Sequence, residues 1–295
     1  MKPFLLYILK ITIAVIVLMY ALDALYSYTF VNNYPRNKVH KILQLKNKHY
    51  DIAFLGSSRT ENHIDCELVK KITGKSCVNL GISGASLGDM LVLLSLAESN
   101  KITFDSLVIQ IDYNFYHSGL SNTFKANLVP FIKNSVIKRV LNNDKDNFYY
   151  NYIPFYRYMK YDKVLGFREF LATFLNKKPK KEVAYGFNPK HGVGLEVSGK
   201  LPDAFSNTNA DLESIKTLVN RVDSKLFLFT APHCNKIINR NKLQELNTVL
   251  PTLYNYVSLF DNKEEYFFNC AHLNIEGARE FTEVLIHDMF PSSNR

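Results

Sequence analysis

The chain has 295 residues, of which 47% are hydrophobic and 21% are charged, and its formal net charge at pH 7 is +9. These fractions exclude an intrinsically disordered chain. The length is sufficient for one large domain or two smaller ones. The basic balance suits an anionic partner. Because the lysines are dispersed and no nucleic-acid-binding motif accompanies them, we expect that partner to be a membrane surface and not a nucleic acid.

The first thirty residues predict a membrane anchor. Residues 4–22 are apolar except for Lys10 and Thr12, and with their flanks they are long enough to cross a bilayer. Aromatic residues typical of a membrane–water interface follow at Tyr20, Tyr26, Tyr28 and Phe30. A cleaved signal peptide and a buried globular helix are the alternatives, but the segment 21–24 is a poor cleavage site. We therefore expect residues 1–30 to form an uncleaved, single-pass transmembrane helix.

The residues that flank the apolar segment give opposite indications of the side of the membrane on which the rest of the chain lies. Five basic residues follow the apolar segment, at Arg36, Lys38, Lys41, Lys46 and Lys48. The positive-inside rule would keep them in the cytoplasm, whereas the very short N-terminal tail favours an extracytoplasmic soluble domain. The four cysteines do not decide, because a chain of this size does not need disulfide bonds. We expect the extracytoplasmic orientation and keep the cytoplasmic one as the alternative.

Short apolar strands alternate with helices in the remainder of the chain. Residues 31–50 predict a basic linker with a helix near 36–48, and residues 51–295 predict one soluble domain. We predict strands over 52–55, 77–80, 107–111, 226–229 and 256–260, and helices over 64–72, 87–98, 212–222, 237–250 and 275–289. This alternation predicts an α/β fold with a doubly wound, five-stranded parallel sheet. Ligands of such sheets bind beyond the carboxyl ends of the strands.

A long insertion, at about 116–203, separates the third predicted strand from the fourth. It is too long for a simple loop and contains helical patterns near 122–140 and 163–175. An aromatic block spans 148–158, and a basic run spans 177–181. The aromatic block could stack on sugars or lie against lipid headgroups, but ordinary packing of a helical cap is the simplest expectation. The basic run is either a solvated loop or a contact with anionic lipid.

Polar motifs follow the predicted strands. They are Gly56-Ser57-Ser58, Asn79-x-Gly81-x-x-Gly84, Asp112-Tyr-Asn114 and, before the last helix, Asn269-Cys-Ala-His272. A serine, a close-approach glycine, an asparagine amide and a histidine are the components of an acyl-transfer site. Ser58 also has a simpler interpretation, since Ser58-x-x-Glu61 fits a helix capping box.

These four blocks, in this order, resemble those of the SGNH (GDSL-like) hydrolase superfamily. The resemblance extends from Gly56 to Gly277, and the chain is similar to the membrane-anchored Gly-Ser-Ser-Arg type associated with acyl modification of bacterial surface polysaccharides. It implies a flavodoxin-like fold, Ser58 as nucleophile and His272 as general base. It also implies an oxyanion hole formed by the Ser58 backbone N–H, Gly84 and the Asn114 side chain, with no cofactor and no metal.

Two positions depart from the superfamily pattern. Only Asn114 of the third block matches, and Asn269 stands where an aspartate normally orients the histidine. An asparagine carries no charge with which to stabilise the imidazolium. Asp261, Glu265 or a backbone carbonyl could orient His272 instead, so we expect a Ser–His dyad rather than a full triad.

Other residues near these motifs have a structural and a functional interpretation. Arg59 could bind an anionic substrate group, but a salt bridge to Asp65 or Asp112 that supports the turn is the simpler expectation. Asn79 is a second candidate supporting residue. The pairs His233-Cys234 and Cys270-x-His272 invite a metal site, but their spacing matches no standard zinc pattern and we expect none.

The sequence therefore predicts a membrane-anchored serine esterase or O-acyltransferase of a bacterial cell membrane, acting on acyl esters of a carbohydrate or cell-surface glycan through an acyl-serine. Its predicted partners are the membrane, the acylated carbohydrate and a membrane-bound acyl-donor protein. The alternative is a catalytically inactive relative that binds glycans or serves as an assembly subunit. Asn269 and the aromatic insertion favour that alternative.

Overall fold

The computed structural model describes residues 2–116, 118–179, 185–194, 196, 201, 203 and 208–291. The chain divides into two compact units. Unit 1 comprises residues 1–41 and 122–179, and unit 2 comprises residues 42–121 and 180–295. Two residues of the predicted basic run, Lys180 and Lys181, lie outside the described residues.

The helices and strands have the following bounds. The helices are α1 (Lys2–Asn32), α2 (Lys38–Gln44), α3 (Ser58–His63), α4 (Cys66–Thr73), α5 (Leu87–Ser99), α6 (Asn122–Leu128), α7 (Ser135–Leu141), α8 (Asn147–Tyr152), α9 (Tyr156–Lys160), α10 (Asp162–Leu165), α11 (Phe167–Phe174), α12 (Ala210–Arg221), α13 (Asn241–Val249) and α14 (Ile275–Met289). The strands are β1 (His49–Leu55), β2 (Cys77–Asn79), β3 (Thr103–Gln110), β4 (Lys225–Thr230), β5 (Leu253–Asn255), β6 (Phe267–Asn269) and β7 (His272–Leu273).

Unit 2 is built on a five-stranded sheet in the order β2-β1-β3-β4-β5, and every adjacent pair is parallel. Helices cover both faces, with α5 packed on α12, and α14 packed on α3 and α4. The last residues of β1, Ile52–Leu55, are completely buried, which explains their continuous apolar run. The predicted doubly wound α/β fold is confirmed, and its strand order reverses between β1 and β3, where such folds bind ligands.

Unit 1 contains α1 and the helical insertion. Among the described residues, α1 is one helix that is long and apolar enough to span a membrane, with a mean hydropathy of 2.4 over its most apolar window. Its residues from Lys2 to Leu18 are all exposed. Farther along, Tyr26 stacks on Phe170 with ring centroids 4.1 Å apart. The aromatic residues of the insertion thus pack in part against the C-terminal third of α1.

Several predicted element bounds are wrong for identifiable reasons. The fifth strand lies at 253–255 and not at 256–260, where successive turns bury Tyr256, Val257 and Phe260 at spacings closer to a helix than to a strand. The helix predicted over 122–140 is interrupted, because Pro130 has no N–H for a continuous helix. The helix predicted over 163–175 is divided at Gly166, where a Cβ would lie 2.2 Å from the Asp162 carbonyl oxygen.

Candidate active site

The turn after β1 positions Ser58 at the first residue of α3. A side chain at Gly56 would place its Cβ 1.9 Å from the Thr60 hydroxyl, so this tight turn requires glycine. Ser57 occupies the N-cap, and its Oγ accepts a bond of 3.4 Å from the Arg59 N–H. The alternative interpretation of Ser58 as a helix cap is not supported, because Ser57 is the cap. The Ser58 hydroxyl is left to make a different contact.

That contact is with His272. The Ser58 Oγ lies 2.8 Å from His272 Nε2, across 214 positions of sequence. His272 begins β7, which forms a two-stranded antiparallel hairpin with β6. Asn269 ends β6 and faces His272 in the register of that hairpin. The predicted nucleophile and the predicted base are thus placed in direct contact by two elements on different parts of the chain.

Asn269 determines which nitrogen of His272 carries the proton. The Asn269 Oδ1 lies 3.1 Å from His272 Nδ1 and also accepts a 3.0 Å bond from the Ala271 N–H. With its oxygen held toward Nδ1, Asn269 accepts the Nδ1–H, and the lone pair of Nε2 points to Ser58. This is the tautomer that a general base requires. The side chain expected to weaken the base therefore orients it.

Burial and neighbouring cations keep His272 neutral. Burial is the largest cause that lowers its pKa, to about 4, and the positive charges of Arg59 and Lys190 lower it further, while Asp112 opposes them. At neutral pH the imidazole is accordingly unprotonated and able to accept a proton. The same environment disfavours the imidazolium that forms once the proton is transferred.

A buried network of polar side chains supports the turn after β1. Arg59 Nε donates to Asp112 Oδ2 at 2.6 Å, and its guanidinium lies over the ring of Tyr113 at 4.8 Å. Gln110 Oε1 accepts from both the N–H and the hydroxyl of Ser57, at 2.8 and 2.9 Å. Of the two predicted partners of Arg59, the structure shows Asp112. Arg59 therefore supports the turn, and its side chain is only 5% exposed.

Gly84 lies in the loop after β2, at an exposed position. Gly84 has φ +75°, and a Cβ there would meet no atom within 4 Å, so it borders open space. Asn79 braces this loop against α3: its Nδ2 donates to the carbonyl oxygens of Thr60 and Ile64 at 2.7 and 2.9 Å, and its Oδ1 accepts from the Gly81 N–H at 3.0 Å. Asn79 thus links this loop to α3 and the turn that follows it.

Asn114 lies in a different environment from the one that the superfamily resemblance implies. Its Nδ2 donates to the Gln110 carbonyl oxygen at 2.9 Å, its Oδ1 accepts from the Asp112 N–H at 2.9 Å, and the residue is buried. The amide thereby closes the turn after β3. The structure thus shows Asn114 within that turn, and its predicted role in an oxyanion hole stays a prediction.

The structure places the two alternative orienting residues differently. Asp261 pairs with Arg240, and Glu265 is exposed. Asn269 is the side chain that contacts His272 Nδ1. The geometry is therefore that of a serine–histidine–asparagine triad rather than the expected dyad.

Sequence reasoning missed three features around the triad. All four cysteines form disulfide bonds, as Cys66–Cys77 and Cys234–Cys270. The second bond ties the loop after β4 to the β6–β7 hairpin, so the cysteines considered for a metal are bonded to each other. His63 accepts a 3.0 Å bond from the Leu273 N–H, and its ring lies 6.1 Å from that of His272. The even cysteine count was the available signal for the disulfides, but it does not specify the pairing.

One group of side chains in the described part of the chain has ligand atoms close enough to share a metal ion. It consists of His49, Asp51 and Asp105. Two of these residues begin β1, whereas Ser58 follows the other end of that strand. Asp51 Oδ2 already accepts bonds from the N–H and the hydroxyl of Ser76, both at 2.6 Å. The group contributes nothing to the Ser58 site.

No family model and no curated protein matches the chain. Among solved structures, the chain is similar to a protein of Streptococcus pneumonia that is provisionally described as a platelet activating factor. The two share 13% sequence identity over 96% of this chain and 99% of that one, with a TM-score of 0.44. A likeness this weak carries no argument about activity.

Proposed function

We propose that this chain is a serine esterase or O-acyltransferase of the SGNH type, in which Ser58, His272 and Asn269 act as the triad. The observation that carries the proposal is the 2.8 Å contact between Ser58 Oγ and His272 Nε2, with Nδ1 oriented by Asn269. A nucleophile, a base in hydrogen-bond reach and an orienting group are the required parts of such a site. This contact favours an enzyme over the inactive, glycan-binding alternative.

The proposed reaction has two steps. The Ser58 Oγ attacks the ester carbonyl, and His272 Nε2 takes the hydroxyl proton while the N–H groups of Ser58 and Gly84 stabilise the oxyanion. The C–O bond to the alcohol then breaks, and the alcohol leaves with the proton from His272. Water or a sugar hydroxyl next attacks the acyl-serine, giving up its proton through His272 and releasing Ser58.

The substrate class follows from the superfamily resemblance. We propose acyl esters of a carbohydrate or cell-surface glycan, as in the membrane-anchored Gly-Ser-Ser-Arg type. Hydrolysis and transfer use the same residues and differ in whether water or a sugar hydroxyl resolves the acyl-serine. Transfer would also need a membrane-bound acyl-donor partner.

Labelling with a fluorophosphonate tests the nucleophile. The probe forms an Oγ–P bond with an activated serine and releases fluoride, so wild-type protein should label and Ser58→Ala should not. Ser214→Ala is a suitable control, because Ser214 is exposed and its hydroxyl bonds only the Ala210 carbonyl within its own helix. Equal labelling of wild type and Ser58→Ala would refute the proposal.

Asn269→Asp is expected to increase esterase activity. A carboxylate 3 Å from Nδ1 would stabilise the imidazolium that forms in the transition state, and a gain of about 1.4 kcal/mol corresponds to about tenfold in kcat/KM. The pKa of His272 should rise with it, so the acid limb of the pH–rate profile should move to higher pH. Both are measured with an acetyl ester across pH.

Asn269→Ala is the matched control, and it should lower kcat/KM because Nδ1 loses its acceptor. If Asn269→Asp and Asn269→Ala had the same kcat/KM as wild type, Asn269 would not be an orienting residue.

The contacts of α1 within unit 1 favour a membrane anchor that is retained and not cleaved as a signal peptide. Asp23 pairs with Arg157 at 2.7 Å, and Tyr26 and Phe30 are buried within unit 1. Cleavage near residue 24 would break the first of these contacts. The two disulfide bonds in turn favour an oxidising compartment. We therefore propose a single-pass protein of a bacterial cell membrane whose soluble part is extracytoplasmic.

The disulfide bonds predict the thiol chemistry of the purified, membrane-extracted protein. Without reductant, none of its four cysteines should react with a maleimide under denaturing conditions. Reduction should make all four thiols reactive. It should also lower the free energy of unfolding by roughly 3 kcal/mol for each disulfide bond, because the bond no longer restricts the unfolded chain. Cys77→Ser is the control, since it should free the single thiol of Cys66. Reactive thiols in wild type before reduction would contradict the extracytoplasmic assignment.

A further inference from the structure

We propose that the helical insertion of unit 1 is a membrane-interface platform. In this arrangement an exposed aromatic cluster, consisting of Phe148, Tyr149 and Tyr152, enters the headgroup region of the bilayer that α1 crosses. The proposal rests on the assignment of α1 as an anchor and assigns a lipid-binding surface to a part of the chain that catalysis does not use.

The aromatic cluster is large and uncovered within unit 1. Phe148, Tyr149 and Tyr152 are 59%, 45% and 68% exposed. The ring centroid of Phe148 lies 5.7 Å from that of Tyr149 and 5.1 Å from that of Tyr152. Such a contiguous exposed group marks an interaction surface. Tyrosine is enriched at membrane–water interfaces, and phenylalanine occurs on the apolar face of helices that lie there.

Contacts with α1 fix the level of the cluster relative to the apolar segment. Asp23 is the first acidic residue after that segment, so in an anchored chain it lies near the membrane–water boundary. Its Oδ2 accepts a 2.8 Å bond from the Phe155 N–H, and its Oδ1 pairs with Arg157 at 2.7 Å. The cluster ends only three residues before Phe155. The contacts of Asp23 therefore hold this part of the insertion at the height of the headgroups.

A second exposed apolar stripe lies on α11. Phe167, Leu171 and Phe174 are 69%, 41% and 52% exposed, whereas Phe170 on the same helix is buried and stacks on Tyr26. The helix therefore directs one apolar face toward α1 and leaves another uncovered within unit 1. The uncovered side chains add exposed apolar surface to unit 1 in addition to the aromatic cluster.

The charge of the insertion favours a bilayer as the partner of this exposed surface. Residues 122–179 contain eleven lysines and arginines and four acidic residues, so this segment of the chain accounts for most of its net charge of +9. Basic residues next to a membrane-spanning helix are attracted to anionic lipid headgroups, at about 1 kcal/mol for each residue near the surface. Exposed aromatic rings and excess positive charge together match an anionic bilayer surface.

The absence of tryptophan from the chain makes a direct test practical. Phe148→Trp and Tyr152→Trp each introduce a single fluorophore at an exposed position that tolerates a larger ring. Leu18→Trp does the same in the apolar segment, where Leu18 is 57% exposed. Each full-length variant is reconstituted into vesicles of phosphatidylcholine and phosphatidylglycerol, with acyl chains brominated at a shallow or a deep position. Aqueous iodide is the complementary quencher.

We expect shallow bromines to quench Phe148→Trp and Tyr152→Trp most strongly, with a blue-shifted emission, and deep bromines to quench Leu18→Trp. If lipid quenches Leu18→Trp while iodide alone quenches both cluster variants, the platform is refuted and the anchor stands. If lipid does not quench Leu18→Trp, the anchor assignment fails and the platform fails with it. Protection of both cluster variants from both quenchers would mean that protein covers the cluster, which also refutes the proposal.

Discussion

Asp112→Asn is expected to lower the free energy of unfolding by about 3–5 kcal/mol, because it leaves the Arg59 cation buried without a counter-charge. The Arg59 and Asp112 side chains are 5% and 0% exposed, and Nε donates to the carboxylate at 2.6 Å. Nη2 of Arg59 has no hydrogen-bond partner among the described residues. The ion pair with Asp112 therefore offsets much of the free-energy cost of burying the Arg59 guanidinium. Urea unfolding of wild type and variant measures the difference.

A surface ion pair provides the matched control. Arg221 and Glu98 pair at 2.7 Å, but their side chains are 63% and 38% exposed. Glu98→Gln should therefore cost less than about 1 kcal/mol. The double variant Arg59→Met, Asp112→Leu should recover much of the lost stability, since replacing both buried charges by apolar groups is often neutral. If Asp112→Asn cost no more than Glu98→Gln, the pair would not be isolated from water.

The fold could be predicted because its main signals are local. Apolar runs such as 52–55 and 107–111 indicate buried parallel strands, and the polar blocks after them fall at one edge of the sheet. Ser58 follows a strand of that sheet, whereas His272 reaches Ser58 from the separate β6–β7 hairpin. Parallel topology thus makes part of a site predictable from the order of its motifs.

The details that were missed depend on contacts that no local pattern specifies. Ser57 and Ser58 are both compatible with a cap, and only packing against Gln110 determines that Ser57 takes that role. The third block contains the expected Asn114, but its amide closes a buried turn. Asn269 was expected to weaken the base on grounds of charge. Its orienting role depends on the β6–β7 hairpin, whose strands of three and two residues are too short to be recognised in the sequence.

Acidification from pH 7 to pH 5 is expected to destabilise the protein strongly, because unit 2 contains three histidines with lowered pKa values. Burial is the largest cause in each case: it lowers the pKa of His233 to about 3, that of His272 to about 4 and that of His63 well below its usual range. The positive charge of Arg59 contributes to all three shifts. His233 Nε2 and His63 Nδ1 have no hydrogen-bond partner among the described residues, which is consistent with neutral rings.

A histidine whose pKa is lower in the folded state than in the unfolded state binds its proton preferentially when the protein unfolds. Its contribution to stability is complete above about pH 6.5 and is lost as the pH falls toward the folded-state pKa. Between pH 6.5 and 5 the loss is about 2 kcal/mol for each such histidine, or roughly 4 kcal/mol for His233 and His272 together, and His63 acts in the same direction.

Urea unfolding at several pH values measures the slope of the free energy of unfolding against pH. His63→Gln should reduce this slope by up to one proton, because it removes one titrating ring. A glutamine oxygen can still accept the Leu273 N–H, so the hydrogen bond is kept. A stability that did not vary between pH 7 and pH 5 would mean that these rings are not held neutral in the folded protein.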